Sequence, residues 1–124
     1  YFDNSKIEYK DIGTTSTESV DYPDYAKLAG EAINKDKYDY GVLICGSGIG
    51  VSIAANKIKG LRAVNANNNN LTEMARQHNN ANVICFGSDF IDYAKAVRFF
   101  EIFINTKFEG GERHERRLSK LENN

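Results

Sequence analysis

The chain has 124 residues, of which 41% are hydrophobic and 27% are charged, and this composition is typical of one globular domain. Its formal net charge of −1 and its lack of basic runs argue against binding to nucleic acid or to an anionic membrane surface. The apolar runs are too short to cross a bilayer, and the polar start YFDNSKIEYK leads us to expect no signal peptide. The two cysteines, Cys45 and Cys85, fit no zinc or CxxC spacing, so we expect a cytoplasmic protein with reduced thiols.

The spacing of apolar residues divides the chain into strands and helices. In chain order, the predicted elements are a strand at 7–10, a helix from Tyr25 to about Ile33, a strand at 41–44, a helix over 51–58, a strand at 61–66, a helix over 71–78, a strand at 82–86, a helix over 93–105 and a terminal helix from about Arg116. This alternation predicts a parallel sheet covered by helices on both faces, in a single α/β domain over residues 1–124. The asparagine-rich run at 65–70 is predicted to be a strand-to-helix loop that supplies helix caps.

The segment GVLICGSGIGVSIAANK, residues 41–57, places a cysteine where a buried strand meets a glycine-rich turn and a helix. Ligands of open α/β sheets lie beyond the carboxyl ends of the strands, and glycines at 46–50 let several backbone N–H groups converge on one point. The positive end of the following helix adds to this effect, so the turn is predicted to bind an anion or a developing negative charge. A dinucleotide is disfavoured, because Val51 replaces the third glycine of GxGxxG and no acid follows within 65–70. A Walker phosphate loop is also disfavoured, because the turn is not followed by Gly-Lys-Ser/Thr.

Three further features offer chemistry, and each has a structural alternative. Cys45 precedes a helix N-terminus, where the pKa of a thiol is lowered, so it is either a nucleophile, a general base that removes a proton beside a carbonyl, or simply a small residue of a buried strand. His78 lies on the apolar stripe of its helix, as either a catalyst or a hydrogen-bonded core residue. Arg113 and Arg117 are four residues apart and would lie on one face of a helix, so they either bind a phosphate together or belong to a solvated charged tail.

The segments DYPDYA, GVLICGSGIGVSIAANK, GLRAV, ARQHNNANVICFGS and FEGGERHERR resemble the ribose-5-phosphate isomerase B family, which also contains galactose-6-phosphate and allose-6-phosphate isomerases. The resemblance extends from about residue 9 to residue 121. It implies a Rossmann-like three-layer α/β/α fold and an enzyme of the pentose phosphate pathway. Such an enzyme interconverts ribose 5-phosphate and ribulose 5-phosphate through a cis-enediolate, without a metal or other cofactor. The resemblance further implies a homodimer or homotetramer with active sites at a subunit interface, where the tail over about 109–124 packs.

The resemblance also implies roles for individual residues. Cys45 matches the catalytic base, and Ser47 matches a hydroxyl residue that assists at the sugar oxygens. His78 matches the histidine that opens the furanose ring. The remaining matches bind substrate, namely Tyr22 in the pocket wall, the anion hole at Gly46, Gly48, Ile49 and Gly50, Asn79 beside the sugar, and Arg113 and Arg117 at the phosphate.

Several features depart from the family pattern. The family begins with a strand that no residue here matches, so we expect the natural protein to have an upstream strand and helix. Asp89 stands where the family often has arginine, and Glu112 precedes Arg113 where many members have no such residue. The alternatives to a ribose-5-phosphate isomerase are an isomerase of galactose 6-phosphate or allose 6-phosphate, and a non-catalytic module that binds sugar phosphates.

Overall fold

The computed structural model describes residues 1–123. After a single turn of 3-10 helix at Phe2–Asn4, the elements are α1 (Tyr22–Asn34), β1 (Gly41–Cys45), α2 (Ile49–Asn56), β2 (Ala63–Asn65), α3 (Asn69–Asn79), β3 (Val83–Gly87), α4 (Tyr93–Asn105) and α5 (Glu112–Glu122). Within the described residues, the strands form one parallel sheet in the order β1-β3-β2. No described helix is long and apolar enough to span a bilayer.

The central strand, β3, is buried throughout and divides the core into two layers. Val83 and Cys85 face the helices α1 and α2, in a cluster that includes Ala29, Leu43, Val51 and Ala55. Ile84 and Phe86 face the opposite way, into a cluster with Ala75, Phe99, Phe100 and Phe103 from α3 and α4. Side chains of a strand alternate between faces, so this division confirms the predicted parallel sheet with helices on both sides.

The strand predicted at 7–10 is wrong, because this segment is irregular and pairs with no described strand. Its apolar residues are instead accommodated by packing: Ile7 lies against the second core cluster, and the Tyr9 ring stacks on Phe2 with 5.3 Å between ring centroids. The alternating pattern at 7–10 therefore belongs to a half-buried extended segment that has no partner strand to form a sheet with.

α2 and α3 begin two residues earlier than the sequence predicts, and α1 and α5 begin earlier still. α1 begins at Tyr22, and Pro23 is accommodated in its first turn because the N–H group that proline lacks would have no helical partner there. α5 begins at Glu112 rather than near Arg116, immediately after Gly111, whose φ of +92° is accessible mainly to glycine. Acidic residues in the first turn of α5 favour this start, since they lie near the positive end of the helix.

Candidate active site

The glycine-rich turn holds a thiol at the carboxyl edge of the sheet. Cys45 is the last residue of β1, and the Gly48 N–H group donates a hydrogen bond to its Sγ over 3.1 Å. Gly48 has a φ of +80°, and a Cβ at this position would lie 3.0 Å from the backbone of β3, so the turn requires glycine. The turn is fastened to the segment after β3, because the Ser88 N–H donates to the Cys45 carbonyl over 2.9 Å.

The two cysteines have opposite chemical environments. Burial would raise the pKa of Cys45, but the backbone N–H groups of Val51, Gly48, Ser47 and Gly50 outweigh it and hold this pKa below its ordinary value. Burial raises the pKa of Cys85 to about 12, so this thiol stays protonated. The converging N–H groups that stabilise a thiolate would also stabilise an oxyanion, so a base and an anion site lie together.

Other side chains surround this turn. The Tyr22 ring lies against Gly50, where an added Cβ would be 2.7 Å from the Tyr22 Cζ. Tyr22 also lines a groove of 1210 Å³ that follows the outer edge of β1. The Ser47 Oγ accepts a hydrogen bond from the Ile49 N–H over 3.1 Å, which leaves the hydroxyl proton free to donate to a ligand.

Two polar residues beside the turn were not selected as site residues from the sequence. The Asn65 Nδ2 donates to the Ser47 carbonyl over 3.4 Å, although the sequence places it only in an asparagine-rich loop. Its position at the end of β2 was the available signal, because parallel strands end at one edge. Asp89, singled out from the sequence only for its charge, has its carboxylate beside Gly46.

A second group of predicted residues lies at the end of α3 and the start of α5. The His78 and His114 rings stack with 4.6 Å between centroids and an interplanar angle of 8°. The Glu109 Oε2 is 3.8 Å from the His78 Nε2. Desolvation, with the charges of His78 and Arg113, lowers the pKa of His114. The Arg113 side chain is exposed on α5.

The two remaining residues of this group, Asn79 and Arg117, are also exposed. Asn79 is the last residue of α3 and borders a cavity of 250 Å³ beside the end of α5, where Leu121 contributes to the wall. Arg117 lies one helical turn after Arg113, so both guanidinium groups can project from one face of α5.

The group around Cys45 and the group around His78 lie at opposite ends of the strands. His78 precedes β3, which begins at Val83, whereas Cys45 is paired with Gly87 at the end of β3. A strand of this length separates its ends by about 13 Å, since each residue advances the chain by about 3.3 Å. Within one chain, the structure therefore brings together the residues of the glycine turn with Tyr22, and separately those around His78.

A buried arginine holds the end of α3 in place. Arg76 is only 7% exposed, and its guanidinium donates to the Thr106 carbonyl over 3.1 Å, to the Asn80 Oδ1 over 2.9 Å and to the Ala81 carbonyl over 2.7 Å. It also lies over the Tyr40 ring, 5.2 Å from the centroid. These contacts fix the backbone that carries His78. Sequence reasoning missed Arg76, because nothing in a helical pattern distinguishes a buried arginine from an exposed one.

Comparison with known proteins gives one consistent result. A family model described as Ribose/Galactose Isomerase matches residues 1–121. The chain is similar to ribose-5-phosphate isomerase B of Escherichia coli, with 40% identity over 115 residues that cover 93% of this chain and 76% of that protein. It is also similar to a probable ribose-5-phosphate isomerase B of Mycoplasma pneumoniae, with 37% identity over 98% of this chain and 80% of that protein.

Solved structures agree with this result. The crystal structure of a ribose 5-phosphate isomerase from Thermotoga maritima superposes with a TM-score of 0.91 and 44% identity, over 95% of this chain and 81% of that chain. The crystal structure of ribose-5-phosphate isomerase B from Mycoplasma genitalium with bound ribulose-5-phosphate has a TM-score of 0.84 and 40% identity, over 91% of this chain and 75% of that chain.

Proposed function

Because the chain belongs to the ribose/galactose isomerase family, we propose that it interconverts ribose 5-phosphate and ribulose 5-phosphate. The observation that carries the proposal is the Cys45 thiol, which has a lowered pKa and lies among converging backbone N–H groups. The name of the Escherichia coli relative supports the reaction, and the ribulose-5-phosphate bound to the Mycoplasma genitalium structure supports the substrate class.

The reaction needs a base that moves one proton between neighbouring carbons and a site for the resulting oxyanion. In our proposal, the Cys45 thiolate removes the C2 proton of the open-chain aldose, and the electrons of that C–H bond form the enediolate. The N–H groups of residues 46–50 stabilise the negative O1, and the proton of the O2 hydroxyl passes to O1. The thiol then returns the carbon-bound proton to C1, which leaves the ketone at C2. The Ser47 hydroxyl is positioned to donate to a sugar oxygen, and Tyr22, whose ring lies against Gly50, forms one wall of the substrate pocket.

The remaining groups come, in our proposal, from a second copy of the chain. His78 opens the furanose ring, Asn79 lies beside the sugar, and Arg113 and Arg117 bind the phosphate as a pair of exposed guanidinium groups. The separation of about 13 Å along β3 supports this arrangement, because one chain cannot supply Cys45 and His78 to one small sugar. The assembly is a homodimer or a homotetramer built from such dimers. An active thiolate also favours a reducing compartment, so we propose a cytoplasmic location. The proposed interconversion of two pentose phosphates is a reaction of the pentose phosphate pathway.

The first experiment measures initial rates of ribulose 5-phosphate formation for the unmodified protein and for Cys45→Ala. Turnover that disappears in Cys45→Ala, with the far-UV circular dichroism spectrum retained, supports both the reaction and the base. Turnover that survives the substitution refutes the base and keeps the enzyme. Cys85→Ala is the matched control, because its thiol is buried on the neighbouring strand and should not affect the chemical step.

Mixed dimers test the shared site directly. Cys45→Ala and His78→Ala should each be inactive, and a dimer of one with the other contains one fully mutated site and one intact site. Random mixing by unfolding and refolding should therefore restore about a quarter of the original activity. If both residues acted within one chain, every site in the mixture would lack one of them, and no activity would return.

Two alternatives are separated by the same assays. The family model covers galactose isomerases as well, so galactose 6-phosphate and allose 6-phosphate are the competing substrates to assay beside ribose 5-phosphate. The Asp89 carboxylate beside Gly46 favours a non-catalytic binding module, because a negative charge at the turn opposes an enediolate. A ligand-induced rise in melting temperature without turnover of any of the three sugars would favour that module.

A further inference from the structure

Three potential metal ligands converge at the end of α3. His78, Glu109 and His114 each offer one ligand atom, and these atoms all lie within 4.8 Å of one another. The closest measured pair, the His78 Nε2 and the Glu109 Oε2, is 3.8 Å apart. Two imidazoles and one carboxylate are a common ligand set for Zn²⁺ and similar divalent transition metals, with water in the fourth position.

The three ligands are held by separate backbone anchors. His78 lies in the last turn of α3, which the Arg76 side chain ties to the segments that follow α3 and α4. The Glu109 N–H donates to the Gln77 carbonyl over 3.0 Å, so the residue that bears the carboxylate is held next to His78. His114 lies in the first turn of α5. A metal would therefore bind to side chains that are already ordered by their backbone, which lowers the cost of assembling the site.

The ligand atoms are close enough for a tetrahedral site, and reorientation of one histidine ring would complete it. Metal–ligand distances near 2.0–2.1 Å place neighbouring ligand atoms roughly 3.3 Å apart. The present spacing of 3.8 Å between the His78 and Glu109 atoms is close to that value. The two histidine rings are parallel within 8°, so their in-plane lone pairs do not converge on one ion until one ring has rotated about its side-chain bonds. The positive charge of Arg113, which follows Glu112 in the same turn, opposes the ion, so we expect weaker binding than at a structural zinc site.

We propose that His78, Glu109 and His114 bind a single divalent transition-metal ion per chain, and that this ion is an inhibitor rather than a cofactor. Inhibition follows because the metal occupies the lone pair of the His78 imidazole, which can then no longer exchange a proton with the sugar. This consequence rests on the proposed function, whereas binding of the metal does not.

The binding test is calorimetric titration of Zn²⁺ into metal-free protein at about pH 7.5, where imidazoles are ordinarily neutral. Glu109→Gln and His114→Gln should each weaken binding by at least about tenfold. Glu112→Gln is the matched control, because it removes the same charge three residues along the chain without removing a ligand. Cys45→Ala is the second control, because a thiolate is the competing zinc ligand.

Binding that Glu109→Gln and His114→Gln weaken, and that Glu112→Gln and Cys45→Ala leave unchanged, supports the site. Absence of binding at about millimolar Zn²⁺ overturns it, as does binding that depends on Cys45 and is insensitive to Glu109→Gln. Co²⁺ separates the two ligand sets further, since thiolate coordination gives a sulfur-to-metal charge-transfer band that the proposed site lacks. Where isomerase activity is present, Zn²⁺ should inhibit it reversibly, and Glu109→Gln should retain activity while losing sensitivity to Zn²⁺. Full activity with the proposed site saturated would overturn the inhibitory role.

Discussion

Replacing Arg76 by methionine should be one of the most destabilising single substitutions in this protein. The side chain is 7% exposed, and no carboxylate within residues 1–123 lies within ion-pair distance of it. Its charge is instead compensated by three acceptors, the Thr106 carbonyl, the Asn80 Oδ1 and the Ala81 carbonyl, and by the faces of Tyr40 and Phe103. Methionine keeps much of the length and the contact with the rings but donates no hydrogen bond.

The magnitude follows from the acceptors that are left behind. A buried acceptor without a donor, such as the Ala81 carbonyl, costs about 1–3 kcal/mol, and the two partly buried acceptors cost less. Relief of the desolvation penalty of the guanidinium offsets part of the total. We expect Arg76→Met to lower the free energy of unfolding by about 3 kcal/mol. Arg76→Lys should lower it by about 2 kcal/mol, because a single ammonium group cannot reproduce the planar fork that reaches the segments after α3 and after α4 together.

Urea titration followed by circular dichroism measures this change, with all variants at one protein concentration because assembly contributes to stability. Arg98→Met is the matched control, since Arg98 is an exposed arginine that also lies over an aromatic ring, 5.4 Å from the Phe99 centroid. We expect it to cost less than about 0.5 kcal/mol. Equal losses for Arg76→Met and Arg98→Met would refute the argument that the buried guanidinium holds the end of α3.

Three further predictions concern the turn and the attachment of α5. First, kcat/KM should rise with pH with a midpoint below pH 9.0, the ordinary pKa of a thiol, because the N–H groups around Cys45 lower its pKa. A midpoint at or above pH 9.0 in a pH–rate profile would contradict this. Second, Gly48→Ala should cost about 2 kcal/mol or more of unfolding free energy in urea titration. Gly111→Ala, also at positive φ but with nothing within 4 Å of an added Cβ, should cost less, and equal costs would exclude the steric contribution. Third, Glu122→Gln should destabilise the protein by about 1 kcal/mol, because Glu122 pairs with Arg62 over 2.6 Å in a partly exposed site. Added salt should reduce the difference between the two proteins. An unchanged melting temperature would show that the pair contributes nothing to stability.

Local patterns predicted those elements whose signals are complete within a few residues. The helix over 93–105 was placed correctly, since an apolar stripe and the capping residue Asp92 mark it. The apolar spacing predicts Val97 and Phe100 among the inward residues of this helix. Phe100 is buried, but Val97 is only partly buried, and Phe99 and Phe103 are more fully enclosed than either. Which face of an amphipathic helix is enclosed depends on the elements packed against it, and a single stripe carries little of that information.

Prediction of the candidate active site from the sequence was limited in the same way. The turn after β1 was predictable, because strand, glycines and helix follow one another and the chemistry is local. The distance between Cys45 and His78 could not be predicted, since it depends on the order of the strands and on the direction of α3 relative to β3. Glu109 and Arg76 were missed for the same reason: each acts through contacts made by folding, with Gln77 and with Thr106.

The contrast between the two thiols shows how position in the sheet determines chemistry. Cys45 and Cys85 lie on neighbouring parallel strands, but Cys85 is paired with Leu43 within the sheet, whereas Cys45 is the last residue of β1. Inside the sheet, the backbone N–H groups are bonded to adjacent strands and do not stabilise a thiolate, so burial, together with the charge of Cys45, raises the pKa of Cys85 to about 12. At the strand end, the N–H groups of the turn and of the first residues of α2 have no partner strand and turn toward Cys45 instead. A cysteine moved two residues back along β1 should therefore lose its reactivity, even though its neighbours would be equally apolar.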